Sequence, residues 1–140
     1  MQDDFDLQRF VDAQHAVWPR VRGELAAGAK ASHWMWFVFP QLRGLGRSAT
    51  ALRFGLASRA EAEAYGRHPL LGPRLKEAAE LALAVEGRSA LQIFGPPDDL
   101  KFRSCMTLFE AVAPDAPVFA RVLEKYFAGE RDGRTLELLR

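Results

Sequence analysis

Apolar side chains return at intervals of three and four along this chain, between residues that start or stop helices. No other sequence feature constrains the fold as tightly. The pattern is plainest at Val118, Phe119, Val122, Leu123, Tyr126 and Phe127, which fall on one helical stripe. Asp115 is the expected N-cap of that helix, and Gly129 stands just past its end. Upstream, Pro97, Asp98 and Asp99 suit a first turn, where proline has no donor to waste and acids meet the positive end of the helix. Phe102, Cys105, Met106, Phe109 and Val112 then form the apolar stripe, and Pro114 closes it.

The same punctuation runs through the rest of the chain. Leu7, Phe10, Val11 and Gln14 mark a first helix, and Pro19 opens a second that passes Val21 and Leu25 to Gly28. Ser48 to Phe54 reads as helical, and Ser58 with Glu61 forms a capping-box pattern for a helix that His68-Pro69 ends. Pro73 opens another helix, carrying Leu75, Ala78, Ala82 and Val85, with Gly87 as its stop. Asp132 to Leu139 reads as a short capped helix. Alternating β-branched runs and strand-flanked Asn-Gly or Asp-Gly turns are missing, and Phe37 to Phe39 ranks as a short helix or irregular segment before a strand. The expectation is an all-α fold, one compact multi-helix bundle with short capped connections, spanning residues 1–140 as a single domain.

Composition agrees with a packed interior: 49% of residues are hydrophobic and 26% charged in a chain of 140, of which folding buries about two thirds of the accessible surface. The N-terminus is acidic and lacks the basic and apolar regions of a signal peptide. The longest wholly apolar run, Trp34 to Pro40, falls far short of the roughly 20 residues a membrane helix needs. With Cys105 as the single cysteine, no internal disulfide can form, and a reducing, cytoplasmic setting is expected. Net charge is +1, distributed as −3 over residues 1–19, +5 over 20–53 and −1 over 54–140. Near-neutrality argues against coating by nucleic acid. The basic middle segment still has the means to hold a small anion.

The most unusual stretch is Lys30-Ala31-Ser32-His33-Trp34-Met35-Trp36-Phe37-Val38-Phe39-Pro40-Gln41-Leu42-Arg43. Its Ser-His-Trp-Met-Trp string resembles the signature of a bacterial family of unknown function, domain of unknown function 1810, some of whose members carry the label calpastatin. The resemblance continues through Gly44-Leu45-Gly46-Arg47-Ser48, His68-Pro69-Leu70-Leu71-Gly72, Ile93-Phe94-Gly95, Asp98-Asp99-Leu100-Lys101, Met106-Thr107-Leu108-Phe109 and Lys125-Tyr126-Phe127. It implies a mainly helical single domain and supplies no activity, cofactor or partner. Where the family pattern has a Ser-Ser pair this chain has Ser104-Cys105, so the resemblance gives Cys105 no thiol role.

Read from the residues, the aromatic run is most simply a wedge in the core, each large ring burying on the order of 150 to 250 Å². Ser32 is then an N-cap and His33 a polar residue at the core's edge. The functional reading places Ser32, His33 and Gln41 around a pocket floored by indole rings. The Arg43 to Ser48 loop offers glycines, free N–H groups and two arginines for phosphate, against the simpler reading of a capped connection. Lys101, Ser104 and Leu108 share a face of the helix that follows Pro97. A buried Ser104 hydroxyl would bond a carbonyl one turn back, while the functional reading turns Lys101 and Ser104 toward His33. The three histidines lack zinc-site spacing, no metal or cofactor is expected, and no Gly-x-Ser-x-Gly elbow is present. Dispersed catalysis by Cys105, His33 and Asp98 stays open at this level.

The leading expectation is a binding site for a small anionic metabolite built from Ser32, His33, Trp36, Gln41, Arg43, Arg47, Lys101 and Ser104. One alternative is an enzyme with His33 as general acid or base. Another is a protein-interaction module with an exposed aromatic patch, which requires several of Trp34, Trp36, Phe37 and Phe39 at the surface.

Overall fold

The computed structural model describes residues 3–140, which form ten α-helices and no strand, apart from an isolated bridge between Leu42 and Leu56. In chain order these are α1 (Gln8–His15), α2 (Trp18–Ala27), α3 (Met35–Val38), α4 (Ala49–Phe54), α5 (Arg59–Arg67), α6 (Leu71–Ala84), α7 (Ala90–Phe94), α8 (Asp98–Val112), α9 (Val118–Phe127) and α10 (Gly133–Leu138). Helix α8 runs through the middle and touches α3, α5, α7, α9 and α10, while α6 packs on α2, α5 and α9.

The position of α8 follows from its side chains. Every residue from Ser104 to Phe109 is buried, so a single apolar stripe understates it, and the helix is enclosed nearly all round. Its two polar members stay satisfied within the helix: Ser104 Oγ lies 3.1 Å from the Leu100 carbonyl and Thr107 Oγ1 donates to the Arg103 carbonyl at 2.8 Å. Phe102 meets Phe39 and Phe94 at centroid distances of 4.8 and 4.4 Å. One turn further on, Phe109 meets Tyr65 at 5.6 Å and Phe119 at 5.9 Å. These tilted and edge-on contacts are the arrangements aromatic quadrupoles favour. Phe127 is only half-buried at the end of α9.

Local chemistry sets the helix ends. Gly28 ends α2 at φ 68°, and a Cβ there would come within 2.8 Å of Val85 Cγ1, so both conformation and space require glycine. Ser48, Ser58 and Asp132 cap α4, α5 and α10 through backbone N–H groups three residues on. The Ser58 capping box is one-sided, because Glu61 turns its carboxylate to the Ala57 N–H at 2.9 Å and to Arg9 at 2.6 Å. That ion pair is buried, and Arg9 also donates to the Phe5, Asp6 and Arg53 carbonyls, so α1 is fastened to α4 and α5. Helix α9 starts at Val118 after Pro117, two residues later than Asp115 as cap implies, because Pro114 to Ala116 are spent in a turn. Helix α7 is an addition to the sequence reading: Ser89 Oγ accepts from Gln92 N–H at 3.1 Å and Gln92 Oε1 from Ser89 N–H at 2.8 Å, a complete capping box.

Candidate functional site

The aromatic run divides between core and surface. Trp34 and Phe39 are 1% and 0% exposed, Met35 and Val38 are buried with them, and only Trp36 and Phe37 reach partly outward from α3. Of the four rings an interaction patch requires, two are thus buried and two half-buried. Cys105 is fully buried and burial pushes its thiol pKa well up, so it is an inert core residue, far from the environment of a catalytic thiolate beside the exposed His33.

Two adjoining cavities share Trp36, Ser48 and Lys101. The smaller, about 230 Å³, is lined among others by Lys30, His33, Trp34, Thr50 and Asp98. The larger, about 410 Å³, adds Gln41, Leu45, Arg47, Pro97, Leu100, Ser104 and Asp132. Of the residues singled out from the sequence, Trp36, Gln41, Arg47, Lys101 and Ser104 therefore meet at the larger cavity, and His33 stands at the smaller one. Ser32 lines neither. Its hydroxyl donates to Glu24 at 2.5 Å, in a cluster where the same carboxylate accepts from the Ala31 and Ser32 N–H groups and from Trp34 Nε1. Arg43 also lines neither: it sits in a single 3-10 turn, Arg43–Leu45, with its N–H bonded to the Leu56 carbonyl.

Asp98 stands between two ammonium groups, Lys30 at 2.9 Å and Lys101 at 3.3 Å. One carboxylate between two cations leaves a net positive charge at the junction of the cavities. Each lysine also lies over an indole, Lys30 over Trp34 at 5.0 Å and Lys101 over Trp36 at 5.3 Å from the ring centroid. Lys30 is almost wholly buried and further held by the Ser32 carbonyl at 2.6 Å, so it is the fixed cation, whereas Lys101 is more open to a ligand. Read from the sequence, Asp98 is foremost a first-turn acid and Lys30 one cation of the basic middle segment; their pairing is made only by the fold.

Gly46 belongs to this geometry. Its backbone is extended, and a Cβ would come within 2.8 Å of the Trp36 indole and 2.7 Å of Ala51 Cβ. The glycine lets the loop lie against the ring, a packing requirement distinct from the phosphate-cradling alternative to a capped connection. Ser48 likewise spends its hydroxyl as an acceptor for Ala51 N–H at 3.0 Å.

Gln41 carries the feature that protein contacts alone do not explain. It is 2% exposed at the wall of the larger cavity, and its Nε2 is buried without a hydrogen-bond partner. A buried amide donor left unpaired costs about 1 to 3 kcal/mol. Half a turn about the last side-chain bond exchanges its donor and acceptor ends, so the amide can offer either to a ligand. Ser104, at the same wall, lies 3.1 Å from both the Leu100 carbonyl and Asp132 Oδ2.

A family model described as a protein of unknown function, DUF1810, matches residues 4–139. The chain belongs to this family. Among solved structures, this DUF1810 protein is similar to the conserved hypothetical protein Rv1873 from Mycobacterium tuberculosis, with 55% sequence identity, 98% of each chain covered and a TM-score of 0.97. No curated protein matches it. The DUF1810 fold is thus the helical bundle described above, and no described helix is long and apolar enough to cross a membrane.

Proposed function

We propose that the chain binds a small anionic metabolite in the larger cavity, against Trp36, Gln41, Arg47, Lys101 and Ser104. The observation that carries this reading is the buried, unpartnered Gln41 amide at the wall of a cavity that also has Lys101 and Arg47. Charge supports it. Lys30 and Lys101 share one carboxylate, Arg47 is exposed at the rim, and with Arg103 beside Asp132 the cations outnumber Asp98 and Asp132. Hydrogen bonds between such cations and an oxyanion are roughly twice as strong as neutral ones. Ser32 and Arg43 have no part in this narrower site.

Thermal melting with a panel of phosphorylated and carboxylated metabolites tests the reading. A ligand that binds only the folded state at one hundred times its Kd adds about 2.7 kcal/mol of stability, and Arg47→Ala with Lys101→Met is expected to abolish the gain. Melting that no member of the panel changes would remove the proposal.

A second reading, an enzyme using His33 as general acid or base, is favoured by one observation: His33 lines the smaller cavity together with Lys101 and Asp98. A reacting group held at Lys101 would share that cavity with the imidazole.

A further inference from the structure

The larger cavity is lined both by groups that can only donate hydrogen bonds and by groups left only able to accept them, and this specifies the ligand beyond its charge. Lys101 and Arg47 are donors only. At the α8–α10 junction the reverse holds. Ser104 Oγ has a single proton and two acceptors at 3.1 Å, the Leu100 carbonyl and Asp132 Oδ2. Whichever takes that proton, the hydroxyl has only lone pairs left for the cavity. Asp132 accepts through Oδ2 from the Thr135 N–H at 3.1 Å and hydroxyl at 2.5 Å. Its Oδ1 has Arg103 no nearer than 3.8 Å, beyond hydrogen-bond reach, and so keeps its accepting capacity.

Resting on the anion-site reading, we propose that the ligand is a small polyhydroxylated anion, a sugar phosphate or sugar acid: its anionic group pairs with Lys101 and Arg47, and its hydroxyls donate to Ser104 and Asp132. A simple oxyanion is repelled from the Asp132 wall and leaves its acceptors unused. An ammonium donor there would meet the charges of Arg103, 3.8 Å from Asp132, and of Lys101, one turn from Ser104 on α8, so a neutral hydroxyl suits the local field better. Half-buried Trp36, in the same lining, offers apolar surface for the C–H groups of a sugar.

The test is isothermal titration of the whole chain with ribose 5-phosphate, inorganic phosphate, ribose and gluconate. Ribose 5-phosphate is expected to bind about tenfold or more tightly than inorganic phosphate, the equivalent of one added hydrogen bond with a charged group. Ser104→Ala is expected to bring the ratio of ribose 5-phosphate affinity to inorganic phosphate affinity down toward one. Asp132→Asn, which keeps size and capping capacity, is expected to lower the same ratio, with inorganic phosphate bound at least as tightly as before because the repelling charge is gone, and serves if Ser104→Ala fails to fold. Gluconate binding as tightly as ribose 5-phosphate would support the proposal with a carboxylate as the anion. Equal binding of inorganic phosphate and ribose 5-phosphate would overturn the hydroxyl assignment and leave the anion site standing. Ribose binding as well as its phosphate would overturn the anion site itself, and no binding by any of the four would overturn both.

Discussion

The indole of Trp34 is tied to Glu24: Nε1 donates to Oε1 at 2.9 Å, from a ring that is 1% exposed. Because the same carboxylate also takes the Ala31 and Ser32 N–H groups and the Ser32 hydroxyl, it fixes the segment that presents Lys30 and His33 to the smaller cavity. Burial pushes the Glu24 carboxyl up, but the donors from Ser32, Ala31 and Trp34 together outweigh it and hold the pKa at about 2, against an ordinary value of 4.5. A depressed carboxyl stabilises the fold fully above its unfolded pKa and loses that contribution as pH falls toward the folded one. The expectation is that the wild-type melting temperature falls more steeply than that of Glu24→Gln between about pH 4.5 and pH 2. Parallel slopes would show that Glu24 does not hold this segment.

Phe109 and Phe119 form the joint between α8 and α9. Truncating either to alanine is expected to cost about 3 to 5 kcal/mol in urea unfolding, since both are buried and their neighbours can only partly collapse. A cost under about 1 kcal/mol would mean the core is not centred there.

Gly46→Ala tests the loop against Trp36. The added methyl meets the indole and Ala51 inside contact distance, so the ring or the loop must shift, at about 1 to 3 kcal/mol. Trp36 fluorescence is expected to change, and ligand affinity to fall with it. Because this chain also contains Trp18 and Trp34, the emission change is read against Trp36→Phe. Unaltered emission and stability would contradict the packing.

His33 separates binding from chemistry. It is exposed, so His33→Gln is expected to change stability by no more than about 0.5 kcal/mol. If His33 acts as an acid or base, the variant keeps the ligand bound at Lys101 and loses turnover, because glutamine cannot exchange a proton near neutral pH. A variant that melts several degrees earlier with unchanged ligand binding would make His33 a scaffold residue.

The helices were readable in the sequence because their ends rest on short-range chemistry: Gly28 in a left-handed turn, Ser48, Ser58 and Asp132 accepting from N–H groups three residues on. Helix α7 was equally readable from Ser89 and Gln92, and Asp115 misled because a proline turn can absorb a capping residue. The site was only half readable. Trp36, Gln41, Arg47, Lys101 and Ser104 stood out by residue type, but whether a polar side chain reaches a cavity depends on partners far along the chain. Glu24 takes the Ser32 hydroxyl, and Asp98 takes Lys30. No local spacing encodes either pairing.

The central claim is that a ligand satisfies Gln41 in the larger cavity, and the side-chain amide of that residue reports on it directly. In a two-dimensional proton–nitrogen spectrum of the labelled chain titrated with ribose 5-phosphate, the account predicts saturable shifts of the Gln41 NH₂ pair and the Trp36 indole N–H, with the Trp18 indole unmoved. The shifts are expected to vanish in Arg47→Ala with Lys101→Met. Saturating ligand that leaves the Gln41 amide and Trp36 indole where they were would contradict the account.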